Sequence, residues 1–530
     1  MFGLLCRFLW LLSVAVSPVV VANTDDGLLG FYTAGVAEFR PAIMGGTSQQ
    51  LLEENLLGYL ELMASGNGTT DIIVFPEATL NSVVTLTAVP ESTAQSLCDE
   101  QPDDDPEIQT FLRRLACAAR EYNTYLVINV KERAPENCPS GITCSNRGYI
   151  VYNTNVVFNR QGAVVSRYRK WNLYLEPSTN RTEFPELATF KTDFNVTFGH
   201  FICFDMLFYT PAQDLVERLG IRHVIVTKMF NSELPFLTAS QLQQGWAWGN
   251  RVNLLASGAS IPLAGVSGSG IYAGEHGALA RLMITEETEG QRKLLLAQVP
   301  LDPEENMLLD ETLEPETATT TKLKLLQQPE LEKFATWELP MVKGSSVNKR
   351  ICQQDLCCEF QINWTLEESE ESPSGYYYRL GVWVGERRYE EEQYSAIRLC
   401  GLFSCSSSNV QSCGLINEEQ GNRVIFTKLQ ILGEFVRKPR RLITPSTLSF
   451  SNLYALQPSQ LIWSTEETDN LTRIKMELRQ PHSQLMTFAI YGNYFDEYAN
   501  GGATTVEASR LGTLLFLLIT PLMMMHLIWE

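Results

Sequence analysis

Three short apolar segments of this chain each end close to a residue that could take part in amide hydrolysis. Glu77 ends the run Ile-Ile-Val-Phe-Pro-Glu, Lys170 lies within Tyr-Arg-Lys-Trp-Asn-Leu, and Cys203 lies within Phe-Ile-Cys-Phe-Asp. Amide hydrolysis through a covalent acyl-enzyme needs a nucleophile, a group that moves its proton, and positive charge beside the oxyanion. We therefore predict Cys203 as the nucleophile, Glu77 as the proton acceptor, and Lys170 as the proton donor or oxyanion stabiliser.

Each of the three residues has a simpler interpretation when it is taken alone. A cysteine on an apolar strand is usually a small buried hydrophobe. A carboxylate or a lysine at the end of a strand usually faces water. The catalytic interpretation therefore depends on the three segments occurring together in one chain.

Other catalytic machinery has little support in the sequence. A papain-like pair of Cys203 with His223 or His276 remains open, but no local signature accompanies it. His200 lies three residues before Cys203, so a strand would direct the two side chains to opposite faces. The sequence has no His-Glu-x-x-His, no zinc-type cysteine pairs and no phosphate-binding loop, and we predict no metal and no cofactor.

The segments that must position these residues alternate between strand-like and helix-like patterns up to about residue 300. Leucines at helical spacing predict a helix over 49–65. A turn signal at 159–162 would join strands over 149–158 and 163–170 as a hairpin. Further strands are predicted over 71–75, 125–130, 197–204, 223–228 and 254–257, and further helices over 211–219 and 238–250. Hairpins mixed with αβ units predict an α/β fold with a mixed sheet, or two sheets with helices outside.

The chain is too long for one ordinary domain. We predict a catalytic domain over 23–300, an acidic solvated linker over 301–346, and a smaller β-rich domain over 347–500. The last segment is strand-like and carries a cluster of cysteines, so disulfides are predicted to staple it.

The cysteine count singles out one thiol. Of 12 cysteines, Cys6 would leave with a signal peptide, and 12 − 1 = 11 is odd. The cysteines other than Cys203 form an upstream group of four and a downstream group of six: Cys98, Cys117, Cys138, Cys144, Cys352, Cys357, Cys358, Cys400, Cys405 and Cys413. Ten cysteines can form five bridges without Cys203, although their connectivity cannot be read from sequence. Vicinal Cys357 and Cys358 are not expected to bond each other.

Both ends of the chain show patterns that are typical of targeting signals. Residues 1–22 combine an early arginine with an apolar stretch and small residues, which predicts a cleaved secretory signal. Near the other end, Asn500, Gly501 and a further glycine precede a polar spacer and an apolar tail. This pattern predicts that 501–530 is a GPI-attachment propeptide, with Asn500 as the preferred lipidation site and Gly501 as the next choice. The mature protein would then be tethered to the extracellular face of the cell membrane.

Two further features fit that compartment. Asn-x-Ser/Thr sequons predict glycosylation at Asn67, Asn180, Asn195, Asn363 and Asn470. The formal net charge is −20, so the chain lacks the basic surface that nucleic-acid binding requires.

The three catalytic segments, in this order, resemble those of the nitrilase superfamily, and most closely its vanin and biotinidase branch of secreted amidohydrolases. The runs starting at Tyr168 and at Cys203, Gly268-Ser-Gly-Ile-Tyr, and Cys352-Gln-Gln-Asp-Leu-Cys-Cys are similar to vanin segments, so the resemblance covers nearly the whole mature chain. It implies a four-layer αββα sandwich followed by the smaller β-rich domain. It also implies that Glu77, Lys170 and Cys203 form the catalytic triad.

The same resemblance implies a small linear amide as substrate, with pantetheine cleaved to pantothenate and cysteamine. Hydrolysis of biotinyl amides is the alternative, because biotinidase shares these motifs. A catalytically silent extracellular binding protein that keeps the fold is a third interpretation. One departure bears on the substrate: Val226 to Phe230 reads Val-Thr-Lys-Met-Phe, where vanins carry a Pro-Thr-Ala-Trp-like stretch. Lys228 there either lines the pocket or faces solvent.

Overall fold

A computed structural model describes most of the chain between residues 30 and 495. The described ranges are 30–66, 68–99, 107–136, 148–286, 288–304, 323–367, 375–390, 393–417 and 420–495. The predicted signal peptide, the GPI-attachment segment with Asn500, the sequon at Asn67, and Cys138 and Cys144 all lie outside them.

Four α-helices are described, and sequence-encoded caps begin two of them. They are α1 (Ser48–Ser65), α2 (Thr110–Glu121), α3 (Asp214–Glu217) and α4 (Ala239–Asn250). Before α1, the Thr47 hydroxyl accepts from the backbone amide of Gln50, and the Gln50 side-chain oxygen accepts from the backbone amide of Thr47. Thr238 and Gln241 form the same box before α4. Such boxes satisfy amides that have no partner inside the helix.

The first unit contains fourteen strands in the described ranges. They are β1 (Phe31–Phe39), β2 (Ile72–Val74), β3 (Tyr125–Pro135), β4 (Tyr149–Phe158), β5 (Val164–Arg169), β6 (Thr189–Lys191), β7 (Thr197–Ile202), β8 (His223–Lys228), β9 (Glu233–Leu234), β10 (Asn253–Ala259), β11 (Ser269–Ala273), β12 (Gly277–Leu282), β13 (Arg292–Pro300) and β14 (Leu326–Gln327). Twelve of them form one sheet whose main path runs β5-β4-β3-β2-β1-β10-β8-β7-β6. β11 pairs with β10 and β12, and β13 pairs antiparallel with β1.

This sheet folds back on itself, so that its two halves enclose a core. Val36 and Val74 from one half share a cluster with Phe198 and Ile225 from the other. Outside the first half, α1 and α2 pack on a second cluster, and outside the second half α4 packs on a third. The layers are therefore helix, sheet, sheet and helix, which confirms the predicted αββα sandwich.

The local predictions hold best where the pattern is longest. The helix over 49–65 is α1, the hairpin is β4 and β5 in antiparallel pairing, and the strand over 223–228 is β8. The predicted helix over 211–219 is only partly regular. An irregular turn over Tyr209–Gln213 precedes the single short helix α3.

The second unit is a β-sandwich. Its strands are β15 (Ala335–Glu338), β16 (Ser345–Gln353), β17 (Leu356–Leu366), β18 (Tyr377–Glu390), β19 (Gln393–Cys405), β20 (Val424–Val436), β21 (Arg441–Ser449), β22 (Leu461–Glu467), β23 (Leu471–Leu478) and β24 (Leu485–Tyr494). They form two five-stranded sheets, ordered β15-β18-β19-β24-β21 and β16-β17-β20-β23-β22. Alternate apolar residues of both sheets fill one shared core, as the period of two predicts.

Four disulfides are described, and three of them lie in the second unit. Cys352–Cys357 joins directly opposed residues of β16 and β17, Cys358–Cys400 joins the two sheets, and Cys405–Cys413 closes the end of β19. Cys98–Cys117 ties a loop to α2 in the first unit. Cys203 is the free cysteine of the described ranges, and the two vicinal cysteines bond different partners.

Strand β15 lies within the predicted linker over 301–346 and pairs antiparallel with β18 of the second unit. β14 lies in the same segment and pairs with β9 of the first unit. The described part of this segment is therefore folded onto both units, and the exact domain boundaries stay a prediction.

The four described sequon asparagines, Asn180, Asn195, Asn363 and Asn470, are exposed. Within the described ranges, none of the helices has both the length and the apolar character that crossing a bilayer would require.

Candidate active site

Glu77, Lys170 and Cys203 meet at one edge of the folded sheet because the strands before them run in the same direction. β2, β1, β10, β8 and β7 are parallel neighbours, so Glu77 and Cys203 both follow carboxyl ends at the same edge. β5 returns antiparallel to β4, which is itself antiparallel to β3, and this places Lys170 at that edge too. The structure therefore brings together the three residues that the sequence predicted, and their catalytic roles stay a prediction.

The Lys170 ammonium lies between two carboxylates. Its Nζ is 2.7 Å from Glu77 Oε1 and 2.6 Å from Glu176 Oε1, and all three side chains are buried. Burial opposes the charge, but Glu176 and Glu77 raise the pKa of Lys170 well above its ordinary value. Lys170 is therefore a fixed cation next to the position of the nucleophile.

A second lysine balances the charge of this cluster. Lys131 Nζ is 3.0 Å from Glu176 Oε2. Although burial acts in the other direction, the ammoniums of Lys170 and Lys131 lower the pKa of Glu176 to about 2. Two buried cations and two buried carboxylates thus form a neutral group, which is the condition under which buried charges are tolerated.

Asparagines hold the carboxylates in place from behind. The amide of Asn153 donates to Glu77 Oε1 at 2.7 Å and to Glu176 Oε2 at 2.8 Å. The Asn129 side chain donates to the side-chain oxygen of Asn153 at 2.7 Å and accepts from the backbone amide of Ala78 at 2.9 Å. Each amide can donate and accept at once, so this relay fixes the orientation of Glu77 without adding charge.

The nucleophile segment begins where β7 ends. Cys203 has φ of 63°, a left-handed conformation that non-glycine residues rarely adopt, and a short 3₁₀ turn over Cys203–Leu207 follows. Asp205 secures this turn by accepting from the Ile202 amide at 3.1 Å, from the Tyr168 hydroxyl at 2.7 Å and from the Asn172 amide at 2.9 Å. The cysteine turn and the lysine loop are thereby tied together.

The buried Cys203 thiol lies close enough to Glu77 and Lys170 for both of their charges to act on it. Burial raises the pKa of Cys203 well above its ordinary value, the negative charge of Glu77 raises it further, and Lys170 partly offsets both. The resting group is therefore a protonated thiol beside a carboxylate. In this arrangement the proton can pass to Glu77 as the sulfur attacks.

The end of β8 supplies a further contact to the site. The Met229 amide donates to Glu77 Oε2 at 2.9 Å. Lys228, just before it, is 3 % exposed, so the interpretation in which it faces solvent is wrong. Its ammonium donates to the Gly268 carbonyl, and burial lowers the pKa of Lys228 to about 8.

The histidine alternatives fail on position. His223 begins β8 and His276 follows β11, and both lie at the opposite edge of the sheet, because Asn253 pairs with His223 and with Ala273. Along β8, Lys228 lies beside Cys203, and His223 lies five residues earlier, which corresponds to roughly 16 Å. His200 faces the inner layer, where its Nε2 lies 2.8 Å from the Ser166 hydroxyl, as the alternation of strand faces predicted.

Sequence reasoning missed Glu176, Lys131, Asn153 and the Met229 amide. Asn153 and Lys131 were detectable in principle as polar residues within otherwise apolar strands. Glu176 stands in an ordinary loop six residues after Lys170, and nothing local distinguishes it from a solvated glutamate.

Aromatic rings from both units border the nucleophile. The Phe204 ring stacks on Tyr174 with 4.6 Å between centroids, and Tyr389 of the second unit meets its edge at 5.0 Å. Within the described ranges, no group of three His, Cys, Asp or Glu side chains is placed to hold a metal ion. The arrangement combines a thiol, a carboxylate and a fixed cation in an apolar setting, which suits acyl transfer from an amide.

Comparisons with known proteins agree with this geometry. The carbon-nitrogen hydrolase family model matches residues 42–235, and the vanin C-terminal domain model matches residues 323–498. Vanin-like protein 3 of Drosophila melanogaster is 76 % identical over 530 residues, covering 99 % of each chain. Pantetheinase of Sus scrofa is 31 % identical over 413 residues, covering 77 % of this chain and 75 % of that protein. Pantetheinase of Homo sapiens is 30 % identical over 416 residues, with the same coverage of 77 % and 75 %.

Proposed function

The chain belongs to the vanin branch of the nitrilase superfamily and is a carbon–nitrogen hydrolase acting on amides, and from this premise we propose that it cleaves pantetheine through a cysteine acyl-enzyme at the cell surface. One observation carries the mechanism. Glu77 accepts from Lys170 at 2.7 Å, and the charges of both residues act on the buried Cys203 thiol.

In the first half-reaction Cys203 attacks the carbonyl carbon of the amide. The thiol proton passes to Glu77 as the carbon–sulfur bond forms, and negative charge develops on the carbonyl oxygen. Lys170 has three ammonium hydrogens, and two are directed to Glu77 and Glu176. The third is available to the oxyanion. Glu77 then returns its proton to the amine, the carbon–nitrogen bond breaks, and cysteamine leaves.

In the second half-reaction water attacks the thioester. Glu77 takes one proton from the water, the carbon–oxygen bond forms, and the carbon–sulfur bond breaks. The proton passes from Glu77 to the departing sulfur, so Cys203 regains its thiol and pantothenate is released. One carboxylate thus serves as base and acid in both halves, and the sum is the addition of one water across one amide bond.

The neutral charge cluster supports this use of Glu77. A buried carboxylate is tolerated where a cation neutralises its charge. Lys170, with Glu176 and Lys131 behind it, keeps positive charge beside the carboxylate throughout the cycle.

The choice of pantetheine rests on the relatives, two of which are named pantetheinases. The test is cysteamine release from pantetheine by the purified protein, with biotinyl amides as the second substrate class. We expect wild type to turn over pantetheine and Cys203→Ala to lose activity by at least a thousandfold. Equal inertness of wild type and Cys203→Ala on both classes would contradict the enzyme proposal. Turnover of biotinyl amides alone would move the substrate to the alternative.

The predicted lipid anchor is part of the proposal. Disulfides in both units and exposed sequon asparagines support passage through an oxidising secretory compartment. The measurement is release of the protein from intact cells by a phospholipase C that cleaves phosphatidylinositol lipids. A protein that remains cell-bound after this treatment would count against the anchor and leave the chemistry untouched.

A further inference from the structure

The proposed reaction makes no use of the buried cation Lys228. It is the last residue of β8, and it stands in one row with the nucleophile across four parallel strands. Ile202 pairs with Thr227, so Cys203 and Lys228 follow at the same level. Lys228 pairs with Gly258, and Gly258 pairs with Glu38.

The glycine in this row makes room for the lysine side chain. A Cβ added at Gly258 would lie 2.8 Å from Lys228 Nζ, so the side chain passes directly over this residue. The ammonium reaches the Gly268 carbonyl, which also accepts from the Gln243 side chain at 3.0 Å. Lys228 therefore connects the end of β8 to the segment before β11.

Glu38 ends the row as a buried carboxylate. Its oxygens accept from the Ser267 hydroxyl at 2.6 Å and from the Ser269 hydroxyl at 2.5 Å. Burial raises the pKa of Glu38, and the hydroxyls and Lys228 act against that rise. The serines that flank Gly268 thus hold the counter-charge of Lys228.

The charged groups that face Lys228 are few in the described ranges. Glu38 lies on β1, Glu77 follows β2 and Cys203 follows β7, and all three raise the pKa of Lys228 against the larger effect of burial. Helix α4 contributes only the neutral Gln243 at this point. With a pKa of about 8, Lys228 is mainly protonated at pH 7.

We propose that Lys228 is a positioning residue of the catalytic centre. Its ammonium supplies a second buried positive charge on the row of residues that includes Cys203, and its bond to the Gly268 carbonyl holds the strand end from which the Met229 amide donates to Glu77 at 2.9 Å. The inference deepens the proposed cysteine mechanism and rests on it. It also gives a physical role to the segment in which this chain departs from the vanin pattern.

The test measures the reactivity of the Cys203 thiol directly, without a substrate. The full-length protein is treated with iodoacetamide over a range of pH, and alkylation of the peptide that contains Cys203 is followed by mass spectrometry. Removal of the positive charge in Lys228→Met should destabilise the thiolate. We expect the profile to move up by about one pH unit and the rate at pH 7 to fall about tenfold.

Two control variants separate charge from shape. Lys228→Arg keeps the charge and should alkylate within about threefold of wild type. Lys191→Met removes an exposed positive charge from β6, next to β7, and should leave the profile unchanged because solvent screens it. With pantetheine, Lys228→Met should lower kcat about tenfold and change KM by less than about twofold.

Lys228→Met with a normal thermal unfolding transition and the alkylation profile of wild type would overturn the proposal. If this variant does not fold, the double variant Lys228→Met with Glu38→Gln removes both buried charges and keeps acceptors for the two serines. The same upward shift is expected there, and an unchanged profile again overturns the proposal. If the thiol responds as expected while wild type hydrolyses no amide, the proposed function fails, and only the effect of Lys228 on the Cys203 thiol stands.

Discussion

At the scale of residues, the candidate active site depends on charge balance inside an apolar setting. Lys170 and Lys131 face Glu77 and Glu176, and none of the four is more than 5 % exposed. Removal of one member leaves an unbalanced buried charge, which costs more than a lost hydrogen bond. The two residues outside the predicted triad, Glu176 and Lys131, therefore complete the charge balance of the site.

Glu176→Gln should show this cost. The variant leaves two ammoniums facing one carboxylate, and we expect a loss of about 3 kcal/mol in the free energy of unfolding at pH 7. Denaturant unfolding measures it, with the exposed Glu183→Gln as the matched control. The double variant Glu176→Gln with Lys131→Met should recover part of the loss. A Glu176→Gln protein as stable as its control would contradict the charge-balance argument.

The contacts of Glu176 with Lys170 and Lys131 also predict how the free energy of unfolding changes with pH. The pKa of Glu176 is lowered to about 2 in the folded protein and is about 4.3 for an unperturbed glutamate. Its contribution to stability is therefore present above about pH 4.3 and is lost as the pH falls towards 2. The stability difference between wild type and Glu176→Gln should shrink across this window. A difference that is constant from pH 5 to 2.5 would contradict it.

At the scale of elements, the site is made by loops that leave strand ends at one edge and are then joined. Asp205 in the cysteine turn accepts from Tyr168 on β5 and from Asn172 in the lysine loop. Burial raises the pKa of Asp205 to about 6, so its hydrogen bonds to donors are strongest above that pH. This one carboxylate links the turn that contains Cys203 to the loop that follows Lys170.

Asp205→Asn should loosen that joint without touching the reacting groups. In this variant one side-chain oxygen at position 205 becomes an amide nitrogen. That nitrogen can only donate, whereas the Tyr168 hydroxyl and the backbone amides around it need an acceptor. We expect kcat/KM for pantetheine to fall at least tenfold and the melting temperature to drop by several degrees. Asp193→Asn, at an exposed ion pair with Arg160, is the control. Wild-type kinetics in Asp205→Asn would show that the joint is dispensable.

At the scale of the whole molecule, the second unit packs directly against the elements that carry the site. Gln241 of α4 donates to Ser446 at 3.1 Å, and Phe236 meets Phe403 at 5.3 Å between centroids. Arg387 pairs with Glu233 at 2.6 Å in a largely buried contact. The two units therefore share one continuous interface.

Arg387→Met should weaken this interface. Glu233 would be left buried without its cation, and we expect a loss of about 3 kcal/mol in the free energy of unfolding. Arg388→Met is the control, because Arg388 is the next residue in the chain and its side chain is 67 % exposed. Thermal unfolding and limited proteolysis between the units measure the effect. Equal melting temperatures for the two variants would contradict a structural role for the buried pair.

The site could be predicted from the sequence where the signal is local. Glu77, Lys170 and Cys203 each end an apolar run, and the turn at 159–162 identifies the hairpin that leads to the lysine. The prediction of a helix over 211–219 was wrong in part, because its first residues belong to an irregular turn at Tyr209–Gln213. Propensity is a weak guide where tertiary contacts determine the backbone.

The sequence by itself determined which groups could do chemistry, that Cys203 was the candidate for an unpaired thiol, and that helices would mix with strands, because these follow from residue type, count and period. The four-layer sandwich was implied by the family resemblance and not by the pattern. Only the tertiary structure decided that Glu176 and Lys131 complete the charge balance and that Lys228 extends over Gly258 towards Glu38. Those contacts join residues far apart in the chain. They depend on strand order and register, which no local pattern contains.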